Sequence, residues 1–174
     1  MAVTPINLAT NQRAERKLLI TVAEWTEGSG GSPIREILGR RTEDSSIEYN
    51  ADIETTTDIL GINYTDINRT QPQQDFDPYL ILGGSALGAK LDDIRSRNAI
   101  SELNNFTIYV ITAYKGSAGS YPAEKHVNCT IAYNSIGGDA NVNMPISVYL
   151  SNDLTNGTVD KLSDDFEFTP NWYN

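Results

Sequence analysis

The sequence predicts a mainly β domain of the α+β class, with an antiparallel sheet, one flanking α-helix and one long hairpin. Three observations favour this fold. Short apolar runs rich in β-branched residues recur between loops rich in glycine, proline and asparagine. Polar and apolar residues alternate along residues 47–59. Only residues 83–103 repeat their apolar side chains convincingly at helical spacing.

The apolar runs predict the core strands. These are residues 18–25, 106–114, 126–133 and 145–150. The stretch 27–33 is glycine-rich and is expected to be a loop, and residues 35–46 are expected to be a polar connection. Two prolines in residues 71–79 argue against a place in the interior of a sheet. Asn156-Gly157 is a favoured two-residue hairpin turn.

The helix is predicted from its spacing and its ends. Leu87, Leu91 and Ile94 fall at i, i+4 and i+7, so they share one face. Ser85 stands where an N-cap is expected. Asp93 precedes Arg97 by one turn, a spacing at which opposite charges attract.

The stretch IEYNADIETTTDI, residues 47–59, is interpreted as one strand with two unlike faces, because side chains on a strand point alternately to opposite sides. The acidic face carries Glu48, Asp52, Glu54 and Asp58. The other face, expected to pack inward, carries Ile47, Tyr49, Ile53 and Ile59. Leu60-Gly61 then reverses the chain into a second strand, residues 62–70, which completes the long hairpin.

Composition limits the classes of function. A chain of 174 residues with 39% hydrophobic residues is expected to form a single domain, residues 1–174, with polar arms at about 1–17 and 160–174. Its net charge of -10 argues against a protein that grips nucleic acid or anionic lipid. The first residues lack an apolar signal core and no run is long enough to span a membrane, so we expect a soluble product made in a cytoplasm.

No catalytic motif is complete. GGSALGAK lacks the Gly-Lys-Ser/Thr ending of a phosphate loop. His126 and Cys129 stand three apart, so on a strand they point to opposite faces. A catalytic pair of Asp52 and Glu54, about 7 Å apart on one face, stays open as the basis of a β-sandwich hydrolase or binding module. The simplest alternative for the acidic face is a solvated surface, although neighbouring like charges repel.

Several stretches together resemble one protein family. They are SIEYNADIETTTDILGINYTDINRTQPQQDFDPY, LGGSALGAKLDDI, AEKHVNCTIAYNSIGGD, NMPISVYLSND and GTVD, in this order. They resemble the major tail protein, or tail tube protein, of long flexible-tailed bacteriophages and prophages of Gram-positive bacteria. The resemblance covers roughly residues 45–160. The most specific pieces are E-Y-N-x-D-x-E-T-x-T-D-I-x-G and T-D-x-N-x-T-x-P-x-Q-x-F-D-P.

The resemblance implies a β-sandwich or half-open barrel with a flanking helix, the phage tail-tube fold. It implies a structural virion protein, without enzymatic activity, cofactor or metal, that forms hexameric rings stacked into a hollow tube. The expected partners are further copies of the chain, the tape measure protein, the tail terminator and baseplate proteins. Viral DNA passes through without specific binding, and no membrane insertion is expected. The expected location is the tail of the virion, assembled in the bacterial cytoplasm. A tail terminator or completion ring of the same fold is the alternative.

The tube would explain the acidic face. Carboxylates lining a bore repel passing phosphates at close range, whereas lysine and arginine would hold them. Glu48, Asp52, Glu54 and Asp58 are therefore the predicted lumen residues. Residues predicted to contact neighbouring subunits or rings lie in the proline-rich segment and near the C-terminus: Pro72, Phe76, Asp77, Phe166, Phe168 and Trp172. The N-terminal arm or the aromatic C-terminal tail is expected to become ordered only on contact with a neighbour.

Overall fold

A computed structural model describes residues 6–28 and 30–171, which form eleven β-strands and one α-helix. The strands are β1 (Leu19–Thr26), β2 (Pro33–Ile37), β3 (Ile47–Glu48), β4 (Asp52–Thr57), β5 (Asn63–Arg69), β6 (Gln73–Phe76), β7 (Phe106–Thr112), β8 (Tyr121–Tyr133), β9 (Ile146–Tyr149), β10 (Leu154–Val159) and β11 (Phe168–Pro170). The helix is α1 (Ala86–Arg97), and three short 3-10 helices cover Arg16–Leu18, Ile100–Leu103 and Ala113–Lys115. The predicted mainly β fold is confirmed.

Strand β8 joins two antiparallel sheets. Its first half lies between β7 and β10 in a sheet of order β2-β1-β7-β8-β10-β11, and its second half pairs with β9 in a sheet of order β8-β9-β6-β3. Between the halves, Asn128 has a φ of 58°, which a short polar side chain tolerates better than a branched one. The bend lets the second sheet fold over the first, so the architecture resembles a sandwich.

The main core lies between the two sheets and under the helix. Trp25, Phe106 and Ile108 project from the first sheet towards Phe76 and Ile146 of the second. A buried hydrogen bond of 2.7 Å from the Thr21 hydroxyl to the Gln74 side chain also crosses this core. The two sheets are therefore held together by packing and by one satisfied polar contact.

A second, smaller core covers the outer face of the first sheet. It contains Val22, Tyr109 and Ile111, whose neighbours in the strands point into the main core. Strands β1 and β7 are thus buried on both faces, which explains why their sequences are apolar without alternation.

The helix matches its prediction. Ser85 caps it by accepting a hydrogen bond of 3.0 Å from the Gly88 amide. Leu87, Leu91 and Ile94 are buried against the main core. An ion pair of 2.6 Å joins Asp93 to Arg97. None of the helices among the described residues is long and apolar enough to cross a membrane.

Three local predictions are wrong. Residues 33–37, expected to be loop and connection, form strand β2 at one edge of the first sheet. Residues 73–76 lie inside a sheet, between β9 and β3, because the two prolines flank β6 rather than interrupt its ladder. Asn156 and Gly157 lie within β10 and not in a turn, because β8 and β11 pair with them on both sides.

The predicted C-terminal arm is wrong for residues 160–171. Phe166 is 1% exposed in the second core, and Phe168 opens β11, which pairs with β10. The segment therefore belongs to the folded subunit and does not wait for a neighbour. Residues 6–15, in contrast, form no helix or strand and are mostly exposed. The expectations for residues 1–5, Trp172 and Tyr173 lie outside the described residues.

Candidate functional site

The hairpin formed by β4 and β5 stands apart from the rest of the fold. These two strands form a separate two-stranded sheet, and all six residues of β4 and all seven of β5 are exposed. A hydrogen bond of 2.9 Å from the Gln71 amide to the Tyr49 carbonyl closes its base. An isolated two-stranded hairpin is marginally stable in water, so a ribbon of this length is expected to gain stability from a partner.

The predicted single strand over residues 47–59 is interrupted at Asn50 and ends before Asp58. Asn50 has a φ of 43°, which ends β3 and turns the chain out of the second sheet into the hairpin. The β4–β5 register also shifts between Asp52 and Ile53, but the unpaired residue is Asn68 of β5, so alternation continues along β4. Alternation therefore does not carry from Glu48 to Asp58, and the prediction that four carboxylates share one straight strand is wrong.

The four predicted lumen residues consequently lie in different settings. Glu48 belongs to β3 in the second sheet. Asp52 pairs with Arg69 across the hairpin at 3.6 Å. Asp52 and Glu54 stand two residues apart on β4, so they share a face, whereas Asp58 lies in the turn after β4. The structure of the single chain therefore brings Asp52 and Glu54 together and separates Glu48 from them, and the orientation of these carboxylates towards a channel stays a prediction.

The expectation of an inward-packing face is wrong for three of its four residues. Ile47 is half-buried against the main core. Tyr49, Ile53 and Ile59 are 59%, 60% and 102% exposed. They are exposed because the chain leaves the sandwich after β3. Ile53 lies opposite Ile67, which is 64% exposed, so an apolar pair faces solvent on one side of the hairpin.

The other side of the hairpin is acidic. Glu54 lies directly opposite Asp66, and the Asn68 amide donates to the Glu54 carboxylate at 3.0 Å. Directly opposed like charges destabilise a ladder, so this pair is not explained by the stability of the hairpin. Asp66 was not among the predicted site residues. The alternation within residues 62–70 was the signal that could have placed it beside Glu54.

Asp58 organises the tip of the hairpin, residues 58–62. Its carboxylate accepts hydrogen bonds from the amides of Leu60 at 2.8 Å and Ile62 at 2.9 Å, and the Tyr64 hydroxyl donates to it at 3.3 Å. These bonds, with that of Ile62 the largest contributor, lower the pKa of Asp58. Gly61 completes the turn with a φ of 79°. The structure therefore gives Asp58 a role in the turn that the sequence pattern did not show.

The residues predicted to contact neighbouring subunits are mostly inside the fold. Pro72, Phe76 and Phe166 are buried, so they cannot supply an exposed contact in this conformation. Phe168 is half-buried, with its ring 5.5 Å from that of Tyr109. Asp77 is exposed and accepts a hydrogen bond from Asn143. Trp172 lies outside the described residues.

A polar cluster fixes the C-terminal segment to the first sheet. The Arg35 guanidinium pairs with Glu24 at 2.6 Å and lies 4.3 Å from the ring centre of Phe166. It also donates to the Phe166 carbonyl. Burial, followed by the nearby Glu24 carboxylate, raises the pKa of Tyr109 to about 12. These contacts fix the C-terminal segment over the second core, and we interpret the cluster as structural.

The geometry does not favour the catalytic alternative. None of the five cavities that we find among the described residues is lined by Asp52 or Glu54. Cys129 is buried, and burial raises the pKa of its thiol. The Nδ1 of His126 contacts the Ser151 carbonyl at 2.8 Å. A comparison with protein-family models and with curated proteins gives no match for this chain.

Proposed function

We propose that this chain is the subunit of a phage tail tube, a structural virion protein that polymerises as stacked hexameric rings. The observation that supports this proposal most is the fully exposed hairpin. A ribbon with an apolar pair on one side, an acidic face on the other and unpaired edges invites pairing with another chain. Repeated contacts of this kind between identical subunits close into rings or extend into filaments.

The acidic face of the hairpin suits the wall of a DNA channel. Glu54 and Asp66 lie opposite each other, and the repulsion between their carboxylates destabilises the β4–β5 ladder. A channel wall that must not bind a polyanion gives a reason to retain both carboxylates. Glu54 and Asp66 are the carboxylates that we assign to the channel on this basis, and we add Glu48, which is exposed in β3 near the base of the hairpin. Asp52 and Asp58 are engaged by Arg69 and by the turn.

Electron microscopy of the purified chain over a concentration series tests the proposal. We expect hollow tubes at high concentration. A variant in which residues 51–70 are replaced by Asn-Gly should keep the fold, because the hydrogen bond between Gln71 and Tyr49 already brings the two ends together. This variant should remain a monomer. Rings that never stack would favour the tail terminator, and a permanent monomer of the unaltered chain would contradict both assignments.

Phage particles that carry substituted subunits test the channel assignment. Lysine at Glu48, Glu54 and Asp66 should leave tails assembled but impair DNA ejection, because each lysine adds a phosphate contact. The matched control carries lysine at three exposed acids outside the hairpin, Asp139, Asp153 and Asp164. Equal ejection by the two sets of particles would count against the assignment.

A further inference from the structure

The tip of the hairpin presents an apolar knob to solvent. Ile59 and Leu60 are 102% and 78% exposed, and Ile62 follows them in the same turn. A single exposed aliphatic residue is ordinary on a protein surface. Three of them grouped at the end of a projecting ribbon are typical of a surface that docks against another protein. The knob also has a fixed shape, because Asp58 bonds the amides of Leu60 and Ile62.

A groove of about 430 Å³ opens elsewhere on the same subunit. Its apolar wall comes from the half-buried side chains of Leu19, Ile20 and Ile37, at the start of β1 and the end of β2, and the buried Leu38 and Phe76 lie beneath them. Its rim is polar and includes Arg16, Thr42 and Glu43. The groove therefore has an apolar wall and a polar rim. This is the combination expected of a site that binds the apolar tip of a polar hairpin.

The charges of the hairpin and of the groove are complementary. The hairpin carries the four acids Asp52, Glu54, Asp58 and Asp66 against the single cation Arg69. The Arg16 guanidinium donates only to the backbone carbonyls of Leu19 and Ser45, and among the described residues no carboxylate pairs with it.

Lys17 adds a second cation at the groove, and Arg41 stands in the loop between Gly39 and Thr42, which also line it. Lys17 is paired with Glu15, whereas no carboxylate in the described part of the chain pairs with Arg41. Two cations line the groove against the single acid Glu43, and in a chain of net charge -10 this balance favours an acidic partner.

The hairpin and the groove lie at opposite ends of the β3–β6 ladder. Glu48 pairs with Gln73 at the end where the hairpin leaves, and the next residues lead away from the sandwich. Phe76 and Ser45, which line the groove, lie beyond the other end. The hairpin of a subunit therefore leaves the sandwich at the end away from its own groove, so a hairpin in this groove comes from another copy.

We propose that the tip of the hairpin of one copy docks in the groove of the next copy. The contact is head-to-tail, because the tip and the groove are different surfaces, and it therefore repeats from copy to copy into a closed ring or an extended filament. Ile59 and Leu60 enter the apolar wall, and the acids of the ribbon approach Arg16 and Arg41. This inference rests on the proposed self-assembly, and it names the two surfaces that meet.

Crosslinking between two single-cysteine variants tests the contact. Ile59→Cys is mixed with Glu43→Cys at a concentration where the chain assembles, and a short bis-maleimide reagent is added. Both positions are exposed, and the native Cys129 is buried and does not compete. We expect covalent dimers from this mixture and only background amounts from the control mixture of Ile59→Cys with Asp153→Cys.

The possible results separate this inference from the proposed function. Particles that form without dimers above the control would overturn the docking contact and leave self-assembly intact. Absence of particles and dimers at every concentration would overturn both. As an independent measure, Leu60→Asp should raise at least tenfold the concentration at which half of the protein sediments as particles. The same change at exposed Ile136, outside both surfaces, should have no effect.

Discussion

Glu54 lies directly opposite Asp66 in the β4–β5 ladder, so two carboxylates face the same side of an exposed hairpin. The Asn68 amide holds the Glu54 carboxylate in place and gives it no opposite charge. A hairpin selected for its own stability would place a cation at one of these two positions. The pair therefore indicates that this face serves a purpose other than holding the two strands together.

Removing one charge of this pair should make the hairpin more stable. In Asp66→Asn the repulsion is lost, and the ladder should gain about 0.2–1 kcal/mol. Hydrogen exchange of the hairpin amides should slow accordingly. Asp153→Asn removes the same charge from an exposed loop and serves as the control. Faster exchange in Asp66→Asn than in the control would contradict the repulsion.

The order of the hairpin tip should depend on pH through Asp58. The pKa of Asp58 is lower in the folded hairpin than its ordinary value of 3.8, so the stabilisation is fully present above that value. It should be lost as the pH falls through the lowered pKa. NMR should show the protection factors of the Leu60 and Ile62 amides, relative to the exchange of an unstructured peptide at the same pH, falling over this acidic range. In Asp58→Ala the tip should be disordered at every pH, and a pH-dependent tip in this variant would refute the assignment.

Phe166 should be essential to the stability of the subunit. Its ring is 1% exposed and lies 4.9 Å from that of Tyr109, so Phe166→Ala should lower the free energy of unfolding by about 3–5 kcal/mol. Urea denaturation measures the loss. Phe168→Ala, at a half-buried position in the same segment, should cost clearly less. Equal and small losses would mean that the segment is a detachable arm.

The ion pair of Glu24 and Arg35 should show strong coupling. Both side chains are largely buried, so Arg35→Met leaves the Glu24 carboxylate without its cation and should cost about 3 kcal/mol. The double variant Glu24→Gln with Arg35→Met should be less destabilised than the two single losses added together. Thermal or urea unfolding of the four proteins gives this coupling, and simple additivity would disprove it.

Asn128 should tolerate glycine but not a branched residue. Its φ of 58° lies in the left-handed region, and its side chain is exposed where β8 passes from one sheet to the other. Asn128→Val should therefore destabilise the fold by about 1–2 kcal/mol, while Asn128→Gly should be nearly neutral. A melting temperature equally lowered by both substitutions would contradict a purely conformational role.

The residue pattern predicted those elements that are determined by interactions within their own segment of the chain. The Ser85 cap and the spacing of Leu87, Leu91 and Ile94 define the helix within the segment itself. Strand β6 was missed because its place depends on β9 and β3, which lie far away in the chain. The turn predicted at Asn156-Gly157 fails for the same reason, since pairing with β8 and β11 outweighs the turn preference of this dipeptide.

The candidate site was predicted only in part. The hairpin and its acidic character followed from alternation, but the left-handed backbone at Asn50 and the turn that begins at Asp58 broke the alternation on which the face assignment depended. Polar and apolar residues continue to alternate through both positions, so the residue pattern does not show either break. The exposure of Ile53 and Ile59 was also unpredictable. An apolar strand face has the same residue pattern whether it is covered by its own chain or by another copy.

Electron microscopy of the purified full chain over a concentration series shows whether the exposed hairpin drives self-assembly. We expect hollow tubes of uniform diameter for the unaltered chain, and none for the variant in which Asn-Gly replaces residues 51–70. Single subunits at every concentration of the unaltered chain, or tubes formed equally well without the hairpin, would contradict this expectation.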